Sequence, residues 1–248
     1  TTYHNNISGS NYLLGIPKHV QITDGFGKLT RQSWYYYDNS DDLEALPTKA
    51  QLTKKMDWLD GGENPVTRYA YDTSTGNLIS TTNALNQTTS ITYDSVYKIF
   101  PMTTVNHLGH MVSNTYYGVD GVALGSFDGS GNCVSGLCGL WGQLRSTTDP
   151  NEQTGLRGYD SFGRMVKVVG PFDSATYPTS EMQYEIFPEY MKVTSQTRVE
   201  SGKEAVIKSV QYMDGLGRMI QQKSVMGEVV KFLVSGQVEY DQLGRVVR

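Results

Sequence analysis

Tyr, Asp, Gly and Arg recur together at one spacing. Tyr159-Asp160-Ser161-Phe162-Gly163-Arg164 returns as Tyr212-Met213-Asp214-Gly215-Leu216-Gly217-Arg218 and as Tyr240-Asp241-Gln242-Leu243-Gly244-Arg245, with a weaker copy at Asp24-Gly25-Phe26-Gly27-Lys28. A phenol, a carboxylate and a guanidinium are in principle an acid–base set. Their repetition argues otherwise, because catalytic groups are not duplicated along a chain, whereas turns are. Asp first and Gly fourth is what a type I turn prefers, and Gly can take the left-handed conformation that closes a three-residue hairpin loop with a bulge. Each copy therefore reads as a hairpin tip, with Asp capping the turn and Arg pairing or stacking with Tyr across the hairpin.

The other chemically suggestive residues lead to weaker readings. Cys133 and Cys138 are separated by Val-Ser-Gly-Leu in a glycine-rich stretch. They are either a disulfide, if the chain reaches an oxidising compartment, or free thiols. Two thiols with no nearby His do not make a zinc site. His107-Leu108-Gly109-His110 offers two imidazoles, but it overlaps an Asn106-x-x-Gly109 turn, so surface histidines are the expectation. Asp128-Gly129-Ser130-Gly131-Asn132 has the look of a calcium loop, yet Cys133 and Gly139 stand where an EF-hand needs Gly and Glu. Gly27-Lys28 and Gly202-Lys203 lack the rest of a phosphate loop, and there is no Gly-x-Ser-x-Gly elbow. Tyr35-Tyr36-Tyr37 and Tyr116-Tyr117 offer surfaces for sugars, with cross-strand packing the simpler expectation. No catalytic residue, metal or cofactor is assigned, and the chain is not expected to be an enzyme.

The elements that must carry these turns follow from their spacing. Asp72, Asn83, Asp94 and Asn106 lie 11, 11 and 12 residues apart, and Asp149 and Asp160 are again 11 apart. Gly76 and Gly109 close two of these turns, Asn86 takes the glycine position in a third, and Pro150 pre-sets φ after Asp149. Asp94-Ser95-Val96-Tyr97 lacks the glycine, so Tyr97 must accept strain or the turn must change type. A step of 11 leaves about seven residues of strand per turn. Regular turn signals at this interval indicate an all-β chain of meandering antiparallel hairpins. Successive turns then alternate between two rims, the Tyr-Asp turns (72, 94, 160) on one and the Asn/Asp turns (83, 106, 149) on the other. Thr89, Ile91 and Tyr93 alternate with Thr88, Ser90 and Thr92, which suits a sheet with one or both faces wet.

The 248 residues are read as one β-sheet segment, with repeats clearest over 60–170 and 205–248. Interruptions are expected at about 40–56 (a short helix or excursion), 118–142 (an irregular glycine-rich loop) and 171–204 (a lengthened hairpin). Hydrophobic residues make up 38%, low for a densely packed globule, and 17 Tyr against 7 Phe fit half-buried strands. A net charge of −4 gives no footprint for nucleic acid, and no apolar run approaches a membrane span. The chain opens without Met and stops just past a hairpin tip, so it reads as a piece of a longer polypeptide.

Tyr159-Asp160-x-x-Gly163-Arg164, Tyr240-Asp241-x-x-Gly244-Arg245, the lead-in Thr147-Thr148-Asp149-Pro150-Asn151 and Asp214-Gly215-Leu216-Gly217-Arg218-Met219-Ile220-Gln221 together resemble the Rhs/YD-repeat family. That family includes bacterial Rhs proteins, the B and C components of insecticidal toxin complexes, SpvB-like toxins and the animal teneurins. The resemblance implies a strip of β-sheet spiralling into a hollow shell that encloses a toxic C-terminal polypeptide, in a protein that is secreted or on the cell surface. The implied partners are the rest of the shell, the enclosed toxin and other toxin-complex subunits. The alternative is a cell-surface module that binds glycans or proteins through its Tyr-rich strands. The family's self-cleavage signature is absent, so no cleavage site is expected before Arg248.

Overall fold

A computed structural model describes residues 1–226 and 231–247; residues 227–230 and 248, inside the expected repeat span 205–248, lie outside the described residues. The described residues form no helix. Their 17 strands are antiparallel, β1 to β9 pairing in sequence order and β10 to β17 likewise. Two compact units divide the chain, Thr1–Ser113 and Asn114–Arg248, where the sequence reading has a single segment.

The first unit holds β1 (Thr2–Asn6), β2 (Leu13–Thr23), β3 (Leu29–Tyr37), β4 (Leu52–Asp57), β5 (Val66–Tyr71), β6 (Leu78–Thr82), β7 (Thr88–Tyr93), β8 (Pro101–Val105) and the start of β9 (Met111–Tyr116). The second holds the end of β9, then β10 (Leu144–Thr148), β11 (Thr154–Tyr159), β12 (Met165–Val169), β13 (Ser180–Ile186), β14 (Met191–Arg198), β15 (Val206–Met213), β16 (Met219–Met226) and β17 (Lys231–Ser235). Up-and-down pairing puts alternate turns at opposite strand ends. In the first unit Asp72 and Asp94 share one end, and Asn83 and Asn106 the other. In the second, Asp149 and Asp160 lie at opposite ends.

The expected interruptions differ in detail. Residues 40–56 contain no helix; their last part is β4, which pairs with β3. Residues 171–204 do not lengthen an existing hairpin but contain one of their own, β13–β14, paired over seven positions. The stretch 118–142 is irregular apart from an isolated bridge between Phe127 and Cys133.

Few hydrophobic side chains are buried. In the second unit they include Tyr117, Val119 and Cys138, fully so, and Val169, Val193 and Val210. The strands are tied by their ladders and by hydroxyl pairs at directly opposite positions. Thr82 faces Thr88 at 2.8 Å and Thr92 faces Thr103 at 2.6 Å in the first unit. Thr148 and Thr154, and Ser195 and Ser209, each lie 2.7 Å apart in the second. Such cross-strand pairs each contribute a few tenths to about 1 kcal/mol.

Candidate functional site

The repeated turns use all the strong groups of their motif internally. At Asp160, Oδ1 accepts the N–H groups of Phe162 at 3.0 Å and Arg164 at 2.9 Å, and Oδ2 accepts Nε–H of Arg164 at 2.7 Å. The backbone closes the same loop, with Gly163 N–H donating to the Asp160 carbonyl and Asp160 N–H to that of Arg164. Gly163 sits at φ 80°, a conformation that any Cβ would strain. Asp214-Arg218 and Asp241-Arg245 repeat this arrangement, with the same 2.7 Å guanidinium contact. The Arg218 side chain and backbone N–H hold the Asp214 carboxyl below its usual range, and the Arg245 backbone N–H does the same for Asp241. Asp24, Asn83, Asn106 and Asp149 accept the same pair of backbone N–H groups without an Arg partner.

Asp128 belongs with them. Its Oδ1 accepts Ser130 and Asn132 N–H at 2.9 and 2.8 Å, and Gly131 lies at φ 84°. The segment that looked like a calcium loop is thus one more Asp-x-x-Gly turn inside the glycine-rich excursion. The bare motif was the available signal. Among the described residues no group of three or more His, Cys, Asp or Glu is placed to hold a metal ion. His107 and His110 are exposed on their turn, His110 within 3.4 Å of Asn106.

Turns lacking the glycine solve the problem differently. At Asp94 the loop gains two residues, the Asp94 N–H donating to the Phe100 carbonyl, and Lys98, not Tyr97, takes positive φ at 61°. Asp94 is fully buried. Burial alone would raise its pKa, but the backbone N–H groups of Phe100, Tyr97 and Ile99 outweigh it and hold the carboxyl at about 2. Asp72, also in a longer turn that Gly76 closes, is held at about 2 by the Ser74 hydroxyl and the Thr75 N–H. At Asp149 the positive-φ residue is Glu152, and at Asn83 it is Asn86.

The tyrosines have a role that the motif did not reveal. The pairing register shifts by one residue immediately before Tyr71, Tyr93 and Tyr159. A bulge of this kind re-aims a side chain. Here it sends each phenol to the carbonyl opening the preceding strand: Tyr71 to Leu52, Tyr93 to Leu78 and Tyr159 to Leu144, each at 3.0 Å. Tyr184 and Tyr240 donate likewise to Met165 and Met219, which open β12 and β16, and Tyr37 donates to Pro17 within β2. Burial pushes Tyr37 up to about 12.

The expected partnership of Arg with the Tyr of its own hairpin is corrected. Arg164 lies over the ring of Tyr184, 4.5 Å from its centroid, and Arg218 over Tyr240 at 4.3 Å. Tyr184 comes from the following strand β13 and Tyr240 from the segment after β17, and in both cases the hydroxyl bonds the residue after the Arg. One tyrosine thereby clamps both the side chain and the backbone of its neighbour. The other aromatic runs are engaged too. Lys54 covers the Tyr36 ring at 3.9 Å, and the buried Tyr117 donates to the Arg157 carbonyl at 2.7 Å.

Cys133 and Cys138 are joined in a disulfide. It ties down the excursion that lies against the β11–β12 hairpin. Tyr159 N–H donates to the Cys138 carbonyl at 2.7 Å, and Ser161 N–H to that of Gly131 at 3.1 Å. Gly139 has no room for a Cβ, which would fall 2.2 Å from the Tyr117 ring.

Residues 187–248 match a family model described as a domain of unknown function, DUF6443. No curated protein matches the chain. Among solved structures, the crystal structure of TcdB2-TccC3 without its hypervariable C-terminal region is similar with a TM-score of 0.64 and 11% identity, over 99% of this chain and 19% of that one. That of TcdB2-TccC3-TEV gives 0.59 and 12%, over 96% and 17%. The chain therefore spans about a fifth of the length of these structures. At such identities the likeness is one of fold: this chain has the all-β architecture found in TcdB2-TccC3.

Proposed function

We propose that this chain is a wall segment of a secreted bacterial YD-repeat shell, which encloses a toxic C-terminal polypeptide and helps deliver it. The observation that carries this reading is the meander of self-capping turns within each unit, together with a fold likeness covering 99% of the chain. A wall must exclude proteases and separate its two sides, and a sheet hydrogen-bonded from strand to strand does so without catalysis. The proposed chain is not an enzyme: the Asp, Arg and Tyr groups of its motif are spent on one another and on the backbone. Its partners are the remaining shell, the enclosed polypeptide and other toxin-complex subunits. No helix among the described residues is long and apolar enough to cross a membrane. The alternative, glycan recognition by Tyr35-Tyr36-Tyr37 and Tyr116-Tyr117, draws little support, because Tyr37 and Tyr117 are buried and Tyr36 is covered.

The test is to express the longest reading frame that contains this chain and to treat it with protease. Encapsulation requires a downstream domain that survives markedly longer inside the assembly than alone. A frame without such a domain, or one digested at equal rates in both settings, overturns the proposal.

A further inference from the structure

In the second unit a groove of about 420 Å³ runs between the disulfide-tied excursion and strands β11–β14. Its floor can be read from the register. Gly158 stands opposite Lys167, Lys167 opposite Glu181, Glu181 opposite Gln196, and Gln183 opposite Thr194. Directly opposite residues share a face, so these form one polar surface crossing the strands. Leu137 of the excursion sits on the bare Gly158, where a Cβ would meet it at 2.9 Å, and so fixes the excursion as the groove's wall. Lys167 and Glu181 pair at 3.4 Å. Gln183, Thr194 and Gln196 make no side-chain hydrogen bond among the described residues, although Thr194 is buried. Gln183 is exposed and Gln196 half-buried, and among the described residues no fully buried side-chain N or O lacks a partner, so both amides and the Thr194 hydroxyl reach the groove and are available to a ligand.

We infer that this groove binds an extended polypeptide. Two side-chain amides and a hydroxyl match the alternating N–H and C=O groups of a peptide backbone. The Lys167–Glu181 pair can re-form with a ligand side chain of either charge. A pyranose would need a bare aromatic platform. The two tyrosines that line the groove offer none: Tyr184 is covered by Arg164, and Tyr159 meets Tyr117 edge to face with its hydroxyl bonded to Leu144. Backbone recognition tolerates sequence, as an enclosing wall requires. The inference rests on the proposed reading for its biological partner, but it fails separately, because a wall can enclose without gripping.

The test uses the 248-residue chain and a fluorescein-labelled unstructured peptide of Gly, Ser and Thr carrying one Lys and one Glu, with anisotropy as the readout and a chitin hexasaccharide as competitor. Saturable binding is expected, weakened about tenfold in Gln183→Ala/Gln196→Ala and severalfold in Thr194→Val. Reduction of Cys133–Cys138 should also weaken it by loosening the wall, while Thr89→Ala, in the first unit, should not. Circular dichroism verifies that each variant is folded. Peptide binding that is absent at millimolar concentration, unchanged in the double variant, or displaced by the sugar overturns the inference.

Discussion

Asp160, Asp214 and Asp241 make the same bonds in different degrees of exposure, which allows one interaction set to be weighed against solvent. The perturbation is Asp→Ala at each, with Asp→Asn beside it. At the first turn the side chains are 9% (Asp160) and 28% (Arg164) exposed; at the third, Asp241 is 23% and Arg245 73% exposed. Asp160→Ala removes two backbone bonds to a charged acceptor and a guanidinium pair. Each charge-assisted bond is worth roughly 1.5–3 kcal/mol when desolvated, so after partial solvent access the sum comes to about 3 kcal/mol. Asp160→Asn keeps Oδ1 as an acceptor and loses only the ion pair, while Arg164 retains the Tyr184 ring, so about 1 kcal/mol is expected. Asp241→Ala should cost distinctly less than Asp160→Ala, because water replaces what is lost. Urea unfolding reads the difference through Trp141, the one tryptophan of the second unit, in a Trp34→Phe/Trp58→Phe background. If Asp160→Ala proves no worse than Asp241→Ala, or if Asn costs as much as Ala at 160, the claim that backbone capping holds the turn is wrong.

Four further outcomes are expected. The carboxyl of Asp94 has a folded pKa of about 2, below its ordinary value of 3.8, so its contribution is present above pH ~4 and lost as pH falls toward 2; Ile99 amide exchange should quicken across that window and become indifferent to it in Asp94→Asn. Cys133→Ser/Cys138→Ser opens a short covalent loop and should lower stability by about 2 kcal/mol, seen as a lower urea midpoint at Trp141. Gly139→Ala forces a methyl into the Tyr117 ring and should cost roughly 1–3 kcal/mol in the same assay. Lys98→Gly relieves a left-handed residue and should raise stability by about 0.5 kcal/mol, observed as a higher thermal midpoint.

The sheet was legible because its turns carry their own instructions. Asp or Asn followed three residues later by Gly specifies both the cap and the left-handed closure, and the eleven-residue interval then sets strand length and alternation. The β13–β14 hairpin escaped because its connection, Phe187-Pro188-Glu189-Tyr190, has neither signal; Phe187 and Tyr190 stack at 4.7 Å and a single backbone bond closes it. β4 was hidden behind polar residues and Pro47. The Asp128 turn carried the motif in full, but its glycine-rich setting drew attention to metal ligation. Nothing in a period of eleven says where a phenol will reach, since that depends on a bulge and on the strand beyond. The pairing of Cys133 with Cys138 depends on how the excursion folds back, which spacing alone left open.

The Asp- and Asn-capped tips among the described residues are each completed by their own cap and their own left-handed residue, so copying such a hairpin copies its turn with it. A sheet of such hairpins can lengthen by duplication, each added hairpin arriving with its own turn.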